Sequence, residues 1–291
     1  MPSLKEIRKR IQSVNSTMQI TSAMKMVAAA KLKRSQDAIS NLRPYANKMK
    51  EVLGRASANL PAAQNGLTAV RPLKKVLLIA ITSNRGLCGA FNNNVIKQTQ
   101  NLRAQYQVEG SEVQVLALGK KAYDAFAKMG VLAQITTDLP YLIYDNFSFQ
   151  KVSGVADNLA KHFMANHFDR VVLVHNSFKN AVTQVINTQQ YLPILPVVDS
   201  SLLSANSDYI FEPSAVQILD TLLPKLLRVQ LYSAVLDSLA AEHAARMTAM
   251  HNATDNAKSL KKGLTIAYNK ARQAAITREI SEIVAGSEAQ R

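Results

Sequence analysis

The two ends of the chain lack helix-breaking residues over long stretches. Residues 3–43 and residues 225–262 contain neither glycine nor proline. Both stretches place small or apolar residues at alternating spacings of three and four, which is the period of one face of a helix. Because glycine and proline ordinarily limit helix length, these stretches predict two long, nearly uninterrupted helices. Two such helices at the ends of the chain, with a compact segment between them, are more typical of a shaft than of a fold built around a ligand pocket.

The first predicted helix covers residues 1–58. Its apolar or small positions recur for about seven heptads, a period that predicts a left-handed coiled coil. Ser3 followed by Glu6 predicts a capping box at its start. Pro44 is expected to kink the helix or to mark a change of register, and Gly54 with residues 61–66 to end it. The predicted seam consists of Leu4, Ile7, Ile11, Val14, Met18, Thr21, Lys25, Ala28, Leu32, Ser35, Ile39, Leu42, Ala46, Met49 and Leu53.

The second predicted helix covers residues 213–289 and should exceed the first by about 20 residues. Pro224 and Gly263 are expected to interrupt it, and Gly286 to close it. One terminal helix leaves the middle of the chain and the other follows it, so antiparallel pairing is the simplest topology. The predicted seam consists of Leu219, Leu222, Leu226, Val229, Leu236, Met247, Met250, Thr254, Ala257, Leu264, Ala267, Ala271 and Ala275.

Residues 74–195 change to the alternation of strands and helices that predicts a mainly parallel sheet. The fold class expected is therefore α/β: a long antiparallel coiled coil of both termini with a Rossmann-like domain inserted between them. The predicted strands are 75–81, 112–118, 170–175 and an edge strand at 181–191, and the predicted helices are 95–106, 120–128 and 149–168.

The charge of the chain is strongly basic, with 35 Lys and Arg against 20 Asp and Glu. Residues 1–58 hold twelve of the basic residues and three of the acidic ones. Such a surface attracts nucleic acid, anionic lipid or an acidic protein, although a solvated polar face is the simpler alternative. No apolar run reaches the ~20 residues of a membrane span. From the polar, helix-like start we expect no signal or transit peptide, and the single cysteine excludes an internal disulfide.

The loop after the first strand, residues 82–92, carries two glycines between a strand and a helix. A phosphate could bind such a turn, but the residues match neither a P-loop nor a dinucleotide fingerprint, which favours a structural turn. Cys88 within it has no histidine nearby in sequence and is more typical of a buried thiol than of a nucleophile. The histidines show no metal-ligand spacing. We therefore expect no cofactor, no metal and no catalytic residue in this chain.

Three segments resemble the gamma subunit of F-type ATP synthases. Ile20–Lys31 with Arg43–Tyr45 is similar to that family's N-terminal helix, and Asn84–Gly89 to the loop after its first strand. His243–Asn256 and Tyr268–Thr277 resemble its C-terminal signature. The resemblance covers essentially the whole chain in the right order. One departure is Asn84, where the family usually has aspartate.

The resemblance implies a rotating central stalk. The paired terminal helices would stand inside a hexameric ring of alpha and beta subunits, and the α/β domain beside the epsilon subunit on the membrane c-ring. Rotation of the c-ring, driven by proton flow, would drive the catalytic beta subunits through their conformations. The chain would contact the membrane only through the c-ring, at the cytoplasmic face of a bacterial inner membrane. The alternatives are a basic helical scaffold that binds nucleic acid and a small nucleotide enzyme with helical arms.

Site residues follow partly from charge and partly from the resemblance. The basic residues expected to meet acidic loops of the beta subunits are Arg8, Lys9, Arg10, Lys25, Lys31, Lys33 and Arg34. The resemblance adds Arg246, Gln273 and Thr277 as contacts with a beta-subunit loop, and Met24 as a position sensitive to added charge. It also implies a c-ring foot at Tyr209, Phe211 and Glu212. An apolar tip at Ile280, Ile283 and Val284 would rotate inside a hydrophobic sleeve. Cys88 is the single cysteine of the sequence, so thiol control of rotation is not expected.

Overall fold

The computed structural model describes residues 3–58, 66–135, 139–145, 147–180, 183–194, 212 and 214–289. The chain divides into two compact units. The first contains residues 1–28 and 246–291, and the second contains residues 29–245. Two long helices contribute to both units: α1, Leu4–Ala58, and α5, Ala215–Glu288.

In the first unit, α1 and α5 form an antiparallel pair. Three cross-helix contacts fix its register, because the residue number on α5 falls as the number on α1 rises. Lys261 Nζ donates to Asn15 Oδ1 over 2.8 Å. Thr21 Oγ1 lies 2.8 Å from Thr254 Oγ1, and Lys25 Nζ lies 3.3 Å from His251 Nδ1. The predicted antiparallel coiled coil is therefore confirmed.

Burial along α1 follows the predicted seam. None of its fifteen seam positions is exposed, and Ile7, Ala28, Leu32, Met49 and Leu53 are buried. The capping box is also present, since Ser3 N donates to Glu6 Oε2 over 3.1 Å and Glu6 N donates to Ser3 Oγ over 3.3 Å.

The α5 seam was predicted less accurately. Ala267 and Ala275 are exposed, and the half-buried positions on that part of the helix are Leu264, Tyr268 and Ala271. Beyond Ala271, every described residue is exposed. The seam therefore ends near Ala271, and the last residues of α5 extend past the start of α1.

The predicted interruptions of α5 were wrong. Pro44 lies inside α1 and Pro224 inside α5, and α5 continues through Gly263 and Gly286 to Glu288. A proline removes one backbone hydrogen bond, and a glycine weakens a helix by about 1 kcal/mol. Leu222, Leu223, Leu226 and Leu227 around Pro224 are buried or half-buried, and this packing offsets the loss. The predicted difference in length is confirmed, with 74 residues in α5 against 55 in α1.

The second unit contains a four-stranded sheet in the order β2-β1-β3-β4. The strands are β1, Lys75–Ile81; β2, Glu112–Leu118; β3, Arg170–Phe178; and β4, Gln184–Leu192. β1 pairs in parallel with β2 and β3, while β4 pairs antiparallel with β3. The mainly parallel sheet with an edge strand after β3 is as predicted. The helices between the strands are α2, Phe91–Val108; α3, Lys120–Ala127; and α4, Phe149–Met164, with a short 3-10 helix at Pro140–Tyr144.

The two faces of the sheet are covered by different helices. One face packs Val76, Leu78 and Ala80 against α2 and α3. The other face packs Leu77, Ile79 and Ile81 in a cluster with α4, with α1 residues Met49 and Leu53, and with the α5 residues between Leu223 and Val235. Alternate residues of β1 face opposite ways, so a continuous apolar strand is buried on both sides.

Element ends differ from the predictions where local signals were weak. α2 begins four residues earlier than predicted, at Phe91, and α4 ends four residues earlier, at Met164. After α4, Asn166 takes a positive φ of 61°, and its N–H donates to Phe163 O over 3.1 Å. Because this turn ends the helix without a glycine, the commonest sequence signal of a helix end is absent here.

Candidate functional site

The basic residues of α1 divide into paired and unpaired cations. Lys33 forms an ion pair with Asp37 at 2.9 Å, and Lys25 is engaged by His251. The remaining five are exposed, and within the described parts of the chain they make no hydrogen bond or ion pair. These five are Arg8, Lys9, Arg10, Lys31 and Arg34. Unpaired exposed cations are free to meet an acidic partner surface.

Lys25 takes part in a polar layer across the helix pair. Its ammonium lies 3.3 Å from His251 Nδ1, which lies 3.5 Å from Asp255 Oδ2. One turn along, the hydroxyls of Thr21 and Thr254 share a hydrogen bond. Polar groups within a coiled-coil seam fix register and orientation at some loss of stability. Lys25 therefore has a role inside the helix pair, besides the surface role expected from its charge.

Replacing Thr21 by valine should lower the stability of the helix pair by about 1 kcal/mol, because valine keeps the shape and loses the cross-helix hydrogen bond. Amide hydrogen exchange of the α1 residues around position 21 in the full-length chain measures this effect. Thr17→Val is the matched control, since Thr17 is exposed and donates only to Ser13 O within its own helix. Equal effects of the two substitutions would contradict a register role for Thr21.

The residues that the resemblance assigns on α5 do not form one site. Arg246 is half-buried, whereas Gln273 and Thr277 are exposed. Twenty-seven residues separate Arg246 from Gln273, which is about 40 Å along a helix. Gln273 and Thr277 are four residues apart and share a face of α5. The register of the pair puts Arg246 more than one helical turn past the level of Lys25 and Gln273 beyond Leu4, so the contacts lie at two levels.

The last residues of α5 carry exposed apolar side chains. Ile280 is 56%, Ile283 67% and Val284 51% exposed, as the predicted apolar tip requires. Ile280 and Val284 lie on the same face as Gln273 and Thr277. Of the predicted foot, Glu212 is exposed, while Tyr209 and Phe211 lie outside the described residues.

α1 also carries an exposed apolar stripe that was not predicted from the sequence. Ile20 and Val27 are 59% and 57% exposed, and they lie seven residues apart on one face. Met26 beside them is 65% exposed, while Met24 is half-buried. The available signal was that these apolar residues fall outside the seam spacing. The cations of α1 therefore lie on a helix that also presents apolar surface.

The loop after β1 is built as a structural turn. Cys88, Phe91, Ala241 and Ala245 are buried together there, with Phe178 packed against them. These side chains from α2, β3 and α5 fill the carboxyl end of the sheet, where α/β folds commonly bind ligands. The Cys88 thiol is buried, with Asn92 Nδ2 3.2 Å from its Sγ.

The hydrogen bonds of the Asn84 side chain account for asparagine at the position where the resembled family usually has aspartate. Its Oδ1 accepts a hydrogen bond from Lys120 N at 2.9 Å, and its Nδ2 donates to Tyr141 O at 3.1 Å. An aspartate could accept the first bond but could not donate the second. The amide therefore joins the start of α3 to the short 3-10 helix.

The described residues contain no cluster of three His, Cys, Asp or Glu side chains that could hold a metal ion. Among the same residues, no helix has the length and apolar character that a membrane crossing requires.

Comparison with known proteins assigns the chain to a family. A family model described as ATP synthase matches residues 3–290. The chain is 53% identical to the ATP synthase gamma chain of Flavobacterium johnsoniae and 54% identical to that of Flavobacterium psychrophilum, over 99% of both proteins in each case. Its structure is similar to a central stalk chain of the Tetrahymena thermophila mitochondrial ATP synthase. That match has a TM-score of 0.58 and 26% identity over 80% of this chain and 99% of the other. A rotor chain from Euglena gracilis, 22% identical, has the same fold with a TM-score of 0.60 over 94% and 98% of the two chains. The chain therefore belongs to the family of ATP synthase gamma chains.

Proposed function

We propose that this chain is the rotating central-stalk subunit of a proton-translocating F-type ATP synthase. It couples rotation of the membrane c-ring to the conformational cycle of the catalytic beta subunits. The observation that carries the proposal is the antiparallel helix pair with a fixed register, in a chain that matches gamma chains over its whole length. ATP chemistry belongs to the beta subunits, and this chain transmits torque.

The contacts inside the helix pair suit a rod that carries torque. Hydrogen bonds join the helices at Asn15–Lys261 and Thr21–Thr254, and buried Ile7 and Ala28 lie on the same seam. Sliding one helix past the other would break both polar contacts and shift the apolar seam. The pair therefore resists the relative displacement that a load would impose.

The surface of α1 suits a bearing in an acidic ring. Arg8, Lys9 and Arg10 are exposed and unpaired within the described structure, and Lys31 and Arg34 continue the basic character. Long-range attraction centres such a helix among acidic loops without fixing one contact. We assign these loops to the beta subunits, with Arg246, Gln273 and Thr277 as the hydrogen-bonding positions.

The remaining partners follow from the same family. We propose the epsilon subunit beside the α/β domain, and the c-ring beneath a foot that includes Tyr209, Phe211 and Glu212. The chain would then be peripheral to the cytoplasmic face of a bacterial inner membrane, held there through the c-ring.

Co-expression of the full-length chain with alpha and beta subunits of one of its Flavobacterium relatives tests the proposal. We expect a complex with steady ATPase activity, in which a bead attached to the α/β domain rotates in one direction while ATP is present. As a control, the same subunits without this chain should show no directed rotation. Failure of the full-length chain to assemble, or a complex whose bead stays fixed during ATP hydrolysis, would contradict the rotary role.

The alternative of a nucleic-acid-binding scaffold has its support in the net charge alone. Binding to duplex DNA that depends on sequence as well as on salt would favour it. Weak binding that disappears at physiological salt is what the unpaired cations of a stalk would produce.

A further inference from the structure

A polar cavity lies in the α/β unit against β3, β4 and α5. Its volume is about 130 Å³, and its polar lining consists of His175, Asn187, Gln189, Gln230, Ser233 and Asp237. Ala46 of α1 and Leu226, Val229 and Ala234 of α5 complete the wall. A polar cavity of this size is large enough for several water molecules.

His175 contributes a fully buried nitrogen to this cavity. Its side chain belongs to β3 and is 2% exposed. Within the described structure, its Nδ1 atom is buried and has no hydrogen-bond partner from the protein. Buried polar atoms are almost always paired, either with protein groups or with internal water. Cavity water is therefore the natural partner of this nitrogen.

Asp237 of α5 is the charged counterpart of the imidazole. Its Oδ2 atom accepts a hydrogen bond from Ser177 Oγ at 2.7 Å, so β3 holds this carboxylate as well as His175. The other polar groups that line the cavity are Gln230 and Ser233 from α5 and Asn187 and Gln189 from β4, and the rest of the wall is apolar. All of these are uncharged. Among the described lining residues, Asp237 is thus the one charge that can respond to a proton on His175.

We propose that this cavity is a hydrated proton-binding site, in which internal water delivers a proton to His175 and the resulting charge loosens the packing of α5 against β3. Hydronium at the cavity transfers a proton to the imidazole, forms one N–H bond and leaves a water molecule behind. The product is a buried imidazolium with Asp237 as its counterion. The carboxylate of Asp237 already accepts a hydrogen bond from Ser177, so it offsets only part of the hydration that the imidazolium of His175 loses on burial. The protonated form therefore destabilises the packing of α5 against β3.

The effect of pH on stability follows from two opposing influences on the pKa of His175. Burial lowers the pKa of His175, and attraction by Asp237 offsets part of that lowering. The unfolded chain then binds a proton at a higher pH than the folded chain does. The stability that neutral His175 supports is fully present above the ordinary histidine pKa of about 6.5 and is lost as the pH falls below it.

A histidine titration of the full-length chain tests the proposal. With carbon-labelled histidine, five imidazole resonances are expected, and the one missing from His175→Gln should titrate below pH 6.5. Asp237→Asn should lower that midpoint further, by about one pH unit, because the attraction is removed. An ordinary midpoint that Asp237→Asn does not move would overturn the proposal.

A second measurement separates proton binding from a merely structural role. Between pH 7.5 and 5.5, hydrogen exchange of β3 and of α5 residues 226–237, corrected for intrinsic rates, should accelerate severalfold in the wild type. It should accelerate much less in His175→Gln, whose amide can bond to cavity water but cannot titrate. His251→Gln is the matched control and should respond like the wild type. Equal acid responses of the wild type and His175→Gln would overturn the proposal. The Asp237→Asn titration decides the question even if His175→Gln folds poorly, because each of the other four resonances can be assigned from its own substitution.

Discussion

Gly119→Ala is expected to destabilise the α/β unit by about 4 kcal/mol, since it combines backbone strain with a steric overlap. Gly119 joins β2 to α3 with φ 138° and ψ 137°, a conformation that side chains rarely adopt. A Cβ atom at this position would lie 2.5 Å from Thr82 Oγ1 and still closer to the Thr82 carbonyl oxygen. Thr82 directly follows the central strand β1, so its backbone cannot move aside without disturbing the end of that strand.

The close approach at Gly119 is held by hydrogen bonds on both sides. Thr82 N donates to Leu118 O over 2.9 Å, and Ala122 N donates to Thr82 Oγ1 over 3.0 Å. Lys121 N donates to Ser83 O over 3.2 Å. The end of β1 therefore caps the start of α3, and the clash would break this cap as well as strain the turn.

Urea unfolding of the full-length chain, followed by hydrogen exchange of β1 and β2, measures the loss. Gly154→Ala is the matched control, because Gly154 lies within α4 and nothing stands within 4 Å of its added Cβ atom. That substitution should stabilise the unit by about 0.5–1 kcal/mol. Similar unfolding midpoints for the two variants would show that the turn is more pliable than its geometry indicates.

The terminal helices were predictable because their signal is periodic and long. A seam repeated over about seven heptads determines which face of α1 is covered, and each of its fifteen positions is buried or half-buried. The strands of the α/β unit were predictable for a similar reason, since Val76–Ile81 is a short apolar run that is buried throughout. In both cases the pattern reports burial directly.

The remaining features depend on contacts between residues far apart in sequence. No residue near Gly119 in the sequence predicts that Thr82 lies against it. His175 likewise resembles an ordinary strand residue in the sequence, because Asp237 approaches it only in the folded chain. The polar pairs Asn15–Lys261 and Thr21–Thr254 likewise arise only when the two helices meet. Pro224 and Gly263 do not interrupt α5, because helix propensity is a weak local preference that the rest of a 74-residue helix overrides.

The surface residues were predictable in kind but not in arrangement. Charge alone identified the basic helix, but in the folded chain Lys25 and Lys33 are engaged by neighbouring side chains, whereas Arg8 and Lys31 are unpaired among the described residues. Whether two such residues are partnered depends on neighbours one turn away or on the other helix. Residue type therefore predicted the charge of this surface, whereas the fold determines which of its cations remain available to a partner.

Replacing Gln273 and Thr277 together by alanine is expected to reduce ATP synthesis by the assembled complex about tenfold. Each hydrogen bond to a partner contributes about 0.5–1.5 kcal/mol, and about 1.4 kcal/mol in total corresponds to a factor of ten. Both side chains are exposed and share a face of α5 beyond the end of the helix seam. The unfolding of the isolated chain should therefore be unchanged, and the loss should appear only in the complex.

A control pair on another face of the same helix isolates this contact. Arg272 and Glu279 are exposed, lie seven residues apart and carry opposite charges, so replacing both by alanine leaves the net charge unchanged. We expect that variant to keep the wild-type rate of synthesis. Equal losses in the two variants would mean that the tip tolerates no change anywhere, and a full rate in the Gln273/Thr277 variant would remove these residues from the bearing.

Arg246 allows a test of whether the two levels of contact on α5 act independently. It lies about 40 Å from Gln273 along α5, and interactions at that separation are expected to act independently. Adding Arg246→Ala to the double variant should therefore multiply the two losses in rate. A smaller combined loss would indicate that both levels of the stalk limit the same step of the rotary cycle. A multiplied loss would indicate two separate contacts, each supporting the torque that the helix pair transmits.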